Sequence, residues 1–289
     1  MRPSAYDPNR GPELARLAVQ AAHTELFDRR LITVASAHSS GVIRGVTAVD
    51  LGCANGALTV NRFAGRRFSH VLGVDRDPEL IAEAVERTVG DPKFTFVTLD
   101  LETGDLEREI RVWAERHGRT DVDLVFTALV LHHLADPAAV LVRARAATAS
   151  PGSIVVRAAD DGSKLAWPDP DGDLPRIIEL TSAADGASDR FHGRKLMEQM
   201  VTAGYRDVVV EGDNLSTSGR TGAERAAMFT DSFSWRTEYL ALAVRTNPEN
   251  AARGQDLIDM VHRLDALEAR FADPGFWYSE TAFAAVGRN

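Results

Sequence analysis

The chain has 289 residues, 44% of them hydrophobic, which is enough for a sizeable core in one enlarged domain or two small ones. Its 33 Lys and Arg against 42 Asp and Glu leave a formal charge of −9, and no local basic patch offers a broad grip on a phosphate backbone. The single cysteine, Cys53, excludes an intrachain disulfide and fits a reducing compartment. No apolar run approaches the roughly 20 residues of a membrane helix, and Met1-Arg2-Pro3-Ser4-Ala5-Tyr6-Asp7-Pro8 lacks the apolar core of a signal peptide. A cytoplasmic protein without a membrane partner is expected.

An N-terminal helix opened by Pro12 runs to about Ala35, and residues 1–40 are expected to form a helical cap segment. From about 46 to 158, short β-rich runs alternate with helical patterns, the signature of a parallel sheet with crossover helices. Strands are predicted at Val46–Leu51, Val71–Asp75, Phe94–Leu99, Leu124–Ala128 and Ile154–Arg157. Two helix starts are well marked. Asp77-Pro78 and Asp136-Pro137 each offer a capping carboxylate followed by a proline where no donor is lost. Leu80, Ile81, Ala84 and Val85 form one apolar face, and Val140, Leu141, Ala144 and Ala147 another. The Pro/Gly/Asp-rich stretch from Asp160 to about Arg190 reads as a loop or lid inserted into a core spanning 41–212. A helix near Gly193–Ala203 and a strand Val208–Glu211 follow, then a helical cap insertion over 213–279. A final core strand near Thr281–Val286, within 280–289, closes the pattern.

In open α/β sheets ligands lie beyond the carboxyl ends of the strands, so the loops after each strand carry the chemistry. Gly52-Cys53-Ala54-Asn55-Gly56 is the first such loop, where glycines allow close backbone approach and amide groups are expected to be free for a ligand. Asp75, with Arg76 after it, ends the second strand and suits two ribose hydroxyls, since an ionised carboxylate accepts at both oxygens. Asp100 ends the third strand and suits an adenine amino group, with Leu101 or Leu99 covering the ring. A nicotinamide fingerprint is absent because Ala54 and Ala57 replace two of the glycines of G-x-G-x-x-G.

Over residues 46 to 158, and again after Arg206, the sequence resembles the class I, Rossmann-like S-adenosylmethionine-dependent methyltransferases. The resemblance rests on Asp50-Leu51-Gly52-x-x-x-Gly56, on Gly73-Val74-Asp75-Arg76-Asp77-Pro78, on Asp100, and on Leu129-Val130-Leu131-His132-His133-Leu134-Ala135-Asp136-Pro137. It departs at Ala54, where the family usually has glycine. The resemblance implies a seven-stranded, mostly parallel sheet with helices on both faces. It implies S-adenosylmethionine as cofactor and S-adenosylhomocysteine as product, held by Asp50, Gly52, Ala54, Gly56, Asp75, Arg76, Asp100, Leu101 and Thr127. Asp50 and the Gly52 backbone would lie near the cofactor's ammonium group.

Methyl transfer needs a base only if the acceptor is protonated. His133, Asp160 and Asp161 are the candidates for that role, although paired histidines after a fourth strand more often pack and hydrogen-bond the loop. Adjacent histidines lack the i, i+4 spacing of a helical metal pair, and Thr127-Ala128 stands where a metal-dependent relative would carry an acid, so no metal is expected. Tyr6, His132, Trp167, His192, Trp235 and Tyr278 are candidate substrate contacts, with packing as the competing role for about half of the aromatic residues.

Thr127-Ala128-Leu129-Val130 replaces the Asn/Asp-Pro-Pro-Tyr/Phe element common in nucleic-acid methyltransferases, so no nucleic-acid partner is expected. The whole resembles bacterial enzymes that methylate specialised metabolites, and an aromatic, indole or amino-acid-derived small molecule is the expected acceptor. A protein or RNA substrate and a non-catalytic, regulatory cofactor-binding protein are the alternatives. A monomer and a homodimer are both left open.

Overall fold

A computed structural model describes residues 11–37, 45–65, 67–184, 188–246 and 248–289. In chain order the elements are α1 (Gly11–Ser36), β1 (Val46–Leu51), α2 (Ala57–Phe63), β2 (Phe68–Asp75), α3 (Pro78–Arg87), β3 (Phe94–Thr98), α4 (Leu106–Arg116), β4 (Val122–Ala128), α5 (Pro137–Ala146), β5 (Thr148–Ala158), β6 (Leu165–Trp167), α6 (Asp173–Ala183), α7 (Leu196–Thr202), β7 (Arg206–Ser216), α8 (Gly222–Phe233), α9 (Arg236–Thr246), α10 (Ala251–Ala272) and β8 (Trp277–Arg288). The chain divides into two compact units. A sheet unit comprises Thr24–Ala159, His192–Gly212 and Phe283–Asn289, and a helical unit comprises the described residues up to His23 with Asp160–Phe191 and Asp213–Ala282.

The sheet unit runs β3-β2-β1-β4-β5 in parallel, and β8 then lies antiparallel to β5 with Ser153 opposite Arg288 and Ala158 opposite Phe283. β7 also pairs with β8. Every residue of β1 is buried, as is all of β4 except Ala128, so neither strand alternates apolar with polar, and Thr47, Asp50, Asp123 and Thr127 are buried with the apolar residues. The crossover helices start where expected. Asp77 accepts from the Glu79 and Leu80 amides, and Asp136 accepts from the Ala139 amide. Asp123 secures the lower part of the sheet by accepting from both the amide and the hydroxyl of Thr47 at 2.9 Å. Five strands exceed their predicted lengths: β2 begins at Phe68, β4 at Val122 and β5 at Thr148, β7 runs from Arg206 to Ser216, and β8 starts at Trp277.

In the helical unit, β6 pairs antiparallel with the first residues of β8, Trp167 facing Trp277 and Leu165 facing Ser279. This short strand is the eighth of a sheet expected to have seven. The reading of 160–190 as a loop or lid is corrected by α6. Asp169 accepts from the amides of Asp173 and Leu174, and Leu174, Ile177, Leu180 and Thr181 return to one buried face. Most of the Pro, Gly and Asp content that suggested a loop lies ahead of the helix, within residues 160–172. α8 begins with a capping box in which Thr221 and Glu224 satisfy each other's backbone amides. Phe229, Phe233, Phe271, Phe276 and Tyr278 pack the centre, with Phe271 in ring contact with the other four at 5.0 to 6.0 Å.

Phe271 is 1% exposed. Phe271→Ala is expected to destabilise the helical unit by about 3–5 kcal/mol, from lost apolar burial plus the cavity left behind. Urea denaturation followed by tryptophan fluorescence checks this, because Trp167, Trp235 and Trp277 all belong to that unit.

Candidate active site

The loop after β1 is tied to the end of β2. The amides of Gly52 and Cys53 both donate to the Val74 carbonyl, at 2.7 and 3.0 Å, and the Ala54 amide donates to Asp75 Oδ2 at 2.9 Å. Gly56 donates to the Cys53 carbonyl at 3.0 Å and opens α2. The expectation of free amide groups is therefore corrected for Gly52, Cys53, Ala54 and Gly56, all of which are engaged within the sheet unit. Gly52 is required on two counts: its φ is +77°, and a Cβ there would come within 2.2 Å of Val130 Cγ2. Ala54 takes φ +48°, the left-handed region where the family's usual glycine costs nothing.

Asp50, at the penultimate position of β1, is 1% exposed. Its Oδ2 accepts from Thr59 Oγ1 at 2.6 Å and faces Arg62 Nη1 at 3.6 Å. Burial pushes the Asp50 carboxyl above its usual range, opposed by the Arg62 guanidinium and the Thr59 hydrogen bond. Asp75 is half-buried at the end of β2, and its second oxygen accepts from the Asp77 amide at 3.1 Å. Each Asp75 oxygen therefore keeps accepting capacity beyond its backbone bond. Arg76 is exposed. Asp100 Oδ1 accepts from the amides of Glu102 and Thr103 at 2.7 and 3.3 Å, a turn that fixes the carboxyl at the end of the third strand's loop. Leu101 beside it is buried. Thr127 pairs in register with Leu51, is 1% exposed, and its hydroxyl is buried without a hydrogen-bond partner among the described residues. A buried unpaired hydroxyl costs roughly 1–3 kcal/mol, so such a group at the carboxyl edge of the sheet calls for a ligand or water.

After β4 a tight turn carries His132, buried, and His133, exposed, with ring centroids 4.0 Å apart. His192, fully buried, lies edge-on to His132 at 6.4 Å, and its Nε2 meets Gln199 Oε1 at 2.6 Å. The Gly193 amide donates to the Ala159 carbonyl, which holds His192 just beyond β5. The adjacent His132 and His133 and the distant His192 thus form one cluster.

The remaining candidates belong to the helical unit. Asp160 is buried, and its side chain accepts from the Gly162 amide at 3.0 Å. Asp161 is fully buried and held in bidentate fashion by two arginines: Arg236 at 2.9 Å to each oxygen, and Arg190 at 3.1 and 3.2 Å. Burial alone would raise its pKa, but Arg236, Arg190 and Lys164 together hold the carboxyl well below the usual range. That arrangement suits a fixed countercharge better than a proton acceptor. Lys164 contacts Glu280 and meets the Tyr278 hydroxyl at 3.1 Å. Burial lowers its pKa to about 7, with Asp161 opposing and the two arginines adding to the fall. Tyr278 is buried and its phenol is pushed up by burial. Trp235 has Arg190 and Arg236 over its ring at 4.5 and 4.8 Å, whereas Trp167 is 72% exposed. Tyr6 lies outside the described residues. Among the described residues no group of His, Cys, Asp or Glu is arranged to hold a metal ion.

Arg62, Arg190, Arg236 and Gln199 carry much of this geometry, and the sequence singled out none of them as site residues. Only contacts between distant segments reveal them.

Residues 49–154 match a family model described as a methyltransferase domain. An uncharacterized 37.1 kDa protein encoded in transposon Tn4556 of Streptomyces fradiae is 28% identical over 162 residues, or 56% of this chain; the match spans only 44% of that protein's length. The YcgJ protein of Bacillus subtilis superposes with a TM-score of 0.51 at 12% identity, covering 91% of this chain and 98% of that one. Geranyl diphosphate methyltransferase, in complex with S-adenosylmethionine, gives 0.50 at 15% identity over 99% and 94% of the two chains. Phosphoethanolamine N-methyltransferase 2 of Haemonchus contortus, bound to S-adenosylhomocysteine, gives 0.50 at 14% identity, over 90% of this chain and 52% of that one. The architecture is therefore the fold of these methyltransferases, and residues 49–154 are similar to a methyltransferase domain.

Asp161→Asn would leave Arg190 and Arg236 buried without their shared anion, and is expected to cost about 3–5 kcal/mol at neutral pH. Because the folded pKa is depressed, the carboxylate's stabilisation is complete above the unfolded value of about 4 and is lost as pH falls through the lower folded value. The gap between wild type and variant in urea denaturation should therefore narrow below about pH 4.

Proposed function

We propose that this chain transfers a methyl group from S-adenosylmethionine to a small-molecule acceptor. The observation that carries this reading is the succession of polar groups at the carboxyl ends of β1 to β4, which closes on the buried, unpaired Thr127 hydroxyl. In this reading Asp75 accepts from the two ribose hydroxyls with the capacity its backbone bonds leave over. Asp100 receives the adenine amino group beside an apolar wall at Leu101, and Thr127 gains the partner it lacks. With the loop amides engaged, the Asp50 carboxylate beside the loop is the group that suits a cationic amino end of the cofactor. The cofactor, when bound, supplies an electrophilic methyl group on a sulfonium centre.

The protein's own contribution is to align an acceptor and to hold any proton it sheds. The cluster of His132, His133 and His192 follows β4 and β5, at the edge where the acceptor should lie. His192, donating from Nε2 to Gln199, would keep Nδ1 as an acceptor. For the acceptor we favour an aromatic, indole or amino-acid-derived molecule, the class that the resemblance to specialised-metabolite enzymes implies.

Calorimetry with S-adenosylmethionine tests the cofactor reading: binding is expected in wild type, and Asp75→Ala should weaken it at least about tenfold by removing two hydrogen bonds to one carboxylate. Unchanged affinity would sink the ribose role of Asp75. Label from methyl-labelled S-adenosylmethionine, incubated with cell extract, should appear in the small-molecule fraction. Label in macromolecules would point instead to protein or RNA, and binding without transfer to any pool would point to a non-catalytic role.

A further inference from the structure

Asp50 is not the only carboxylate that Arg62 can reach. Asp28, on the part of α1 belonging to the sheet unit, is 2% exposed and accepts from Arg62 Nε at 3.0 Å, closer than the 3.6 Å from Arg62 Nη1 to Asp50. On its other side Asp28 lies 3.1 Å from Arg157 Nε on β5. Phe27, Leu31, Ile32 and Ala35 are buried on the same helix, so the Asp28 side chain is fixed by the packing of its own element. The guanidinium of Arg62 also rests 4.7 Å over the Phe126 ring. Two aspartates and two arginines thus make a neutral buried group in which one arginine has a choice of anion.

The choice has a chemical consequence. A guanidinium paired directly with Asp50 would neutralise the one buried acid at the glycine loop, and a cationic ligand group would have to compete with it. A guanidinium held end-on through Nε by Asp28 stays at a longer range. We propose that Asp28 is a positioning residue that draws Arg62 away from Asp50 and so keeps the Asp50 carboxylate for the cationic amino end of the cofactor. This rests on the cofactor reading given above. It assigns to the helix before the sheet a role in ligand affinity as well as in packing.

The test compares two ligands by calorimetry: S-adenosylhomocysteine, which carries the amino-acid end, and 5′-methylthioadenosine, which lacks it. Asp28→Asn keeps the size and an accepting oxygen but removes the charge. It should weaken S-adenosylhomocysteine about tenfold, a loss of about 1.4 kcal/mol, and leave methylthioadenosine within about twofold of wild type. Adding Arg62→Gln to that variant should restore S-adenosylhomocysteine to within about threefold, since the competing cation is gone. Equal weakening of both ligands, or no change in either, would overturn the proposal, because a merely structural role makes no distinction between them. If circular dichroism shows that Asp28→Asn does not fold, Arg62→Gln alone decides the matter. Affinity for S-adenosylhomocysteine that is unchanged or tighter supports the role, and a tenfold loss refutes it. Wild-type protein that binds neither ligand would instead refute the cofactor reading and the proposal with it.

Discussion

One carbonyl organises the candidate site. Val74, the last residue but one of β2, accepts from both Gly52 and Cys53, so the loop leaving β1 cannot lift from its neighbour without stranding two donors. Asp75 repeats the tie one residue later through the Ala54 amide. The backbone therefore bends back at Gly52, where φ is positive and Val130 occupies the space of a side chain. Everything placed at the carboxyl edge, from Asp50 to Thr127, is aligned relative to this pinned turn. Parallel strands make it necessary, since each strand must end in a loop that satisfies its neighbour's last polar groups.

The helical unit solves a different problem, which is how to hold charge inside an aromatic core. Asp161 lies fully buried between Arg190 and Arg236, and Arg236 also donates to the Ser232 carbonyl and the Thr181 hydroxyl. Such a group stabilises little over an apolar one of the same shape, but it is intolerant of losing a member. It fixes how α6, α9 and the segment after β5 are joined. Trp235, flanked by both guanidinium groups, and Tyr278, reached by Lys164, are bound into the same network.

Much of the sheet was legible in the sequence because its signals are local. The boundaries of β1 were predicted to the residue, since its β-branched and apolar residues run up to the glycine at position 52. Asp77-Pro78 and Asp136-Pro137 cap helices as their chemistry requires. α6 was missed because its cap, Asp169, lies four residues upstream within a Pro/Gly/Asp-rich segment that resembles a loop. The engaged state of the loop amides was missed for another reason: Val74 lies 22 positions beyond Gly52, and no periodicity encodes which carbonyl a turn will find. The same holds for Asp28 and Arg62, 34 positions apart, and for Arg236 and Asp161, 75 apart. His132 and His133 were visible as a pair and His192 as a separate candidate contact, but that the three lie together is shown only by the fold.

β8 has a consequence for how this chain can be divided. Its first residues pair with β6 in the helical unit, and its last six described partners pair with β5 in the sheet unit. The chain also passes from one unit to the other after His23, Ala159, Phe191, Gly212 and Ala282. Neither unit is therefore a contiguous piece of sequence, and no single cut yields either of them whole. Ending the chain at Gly212 would take away the strand that covers β5 and expose that edge of the sheet. Two of the helical segments, Asp160–Phe191 and Asp213–Ala282, are thus insertions within the sheet unit's own sequence, and recombination could exchange the second only by preserving its flanking strands, β7 and β8.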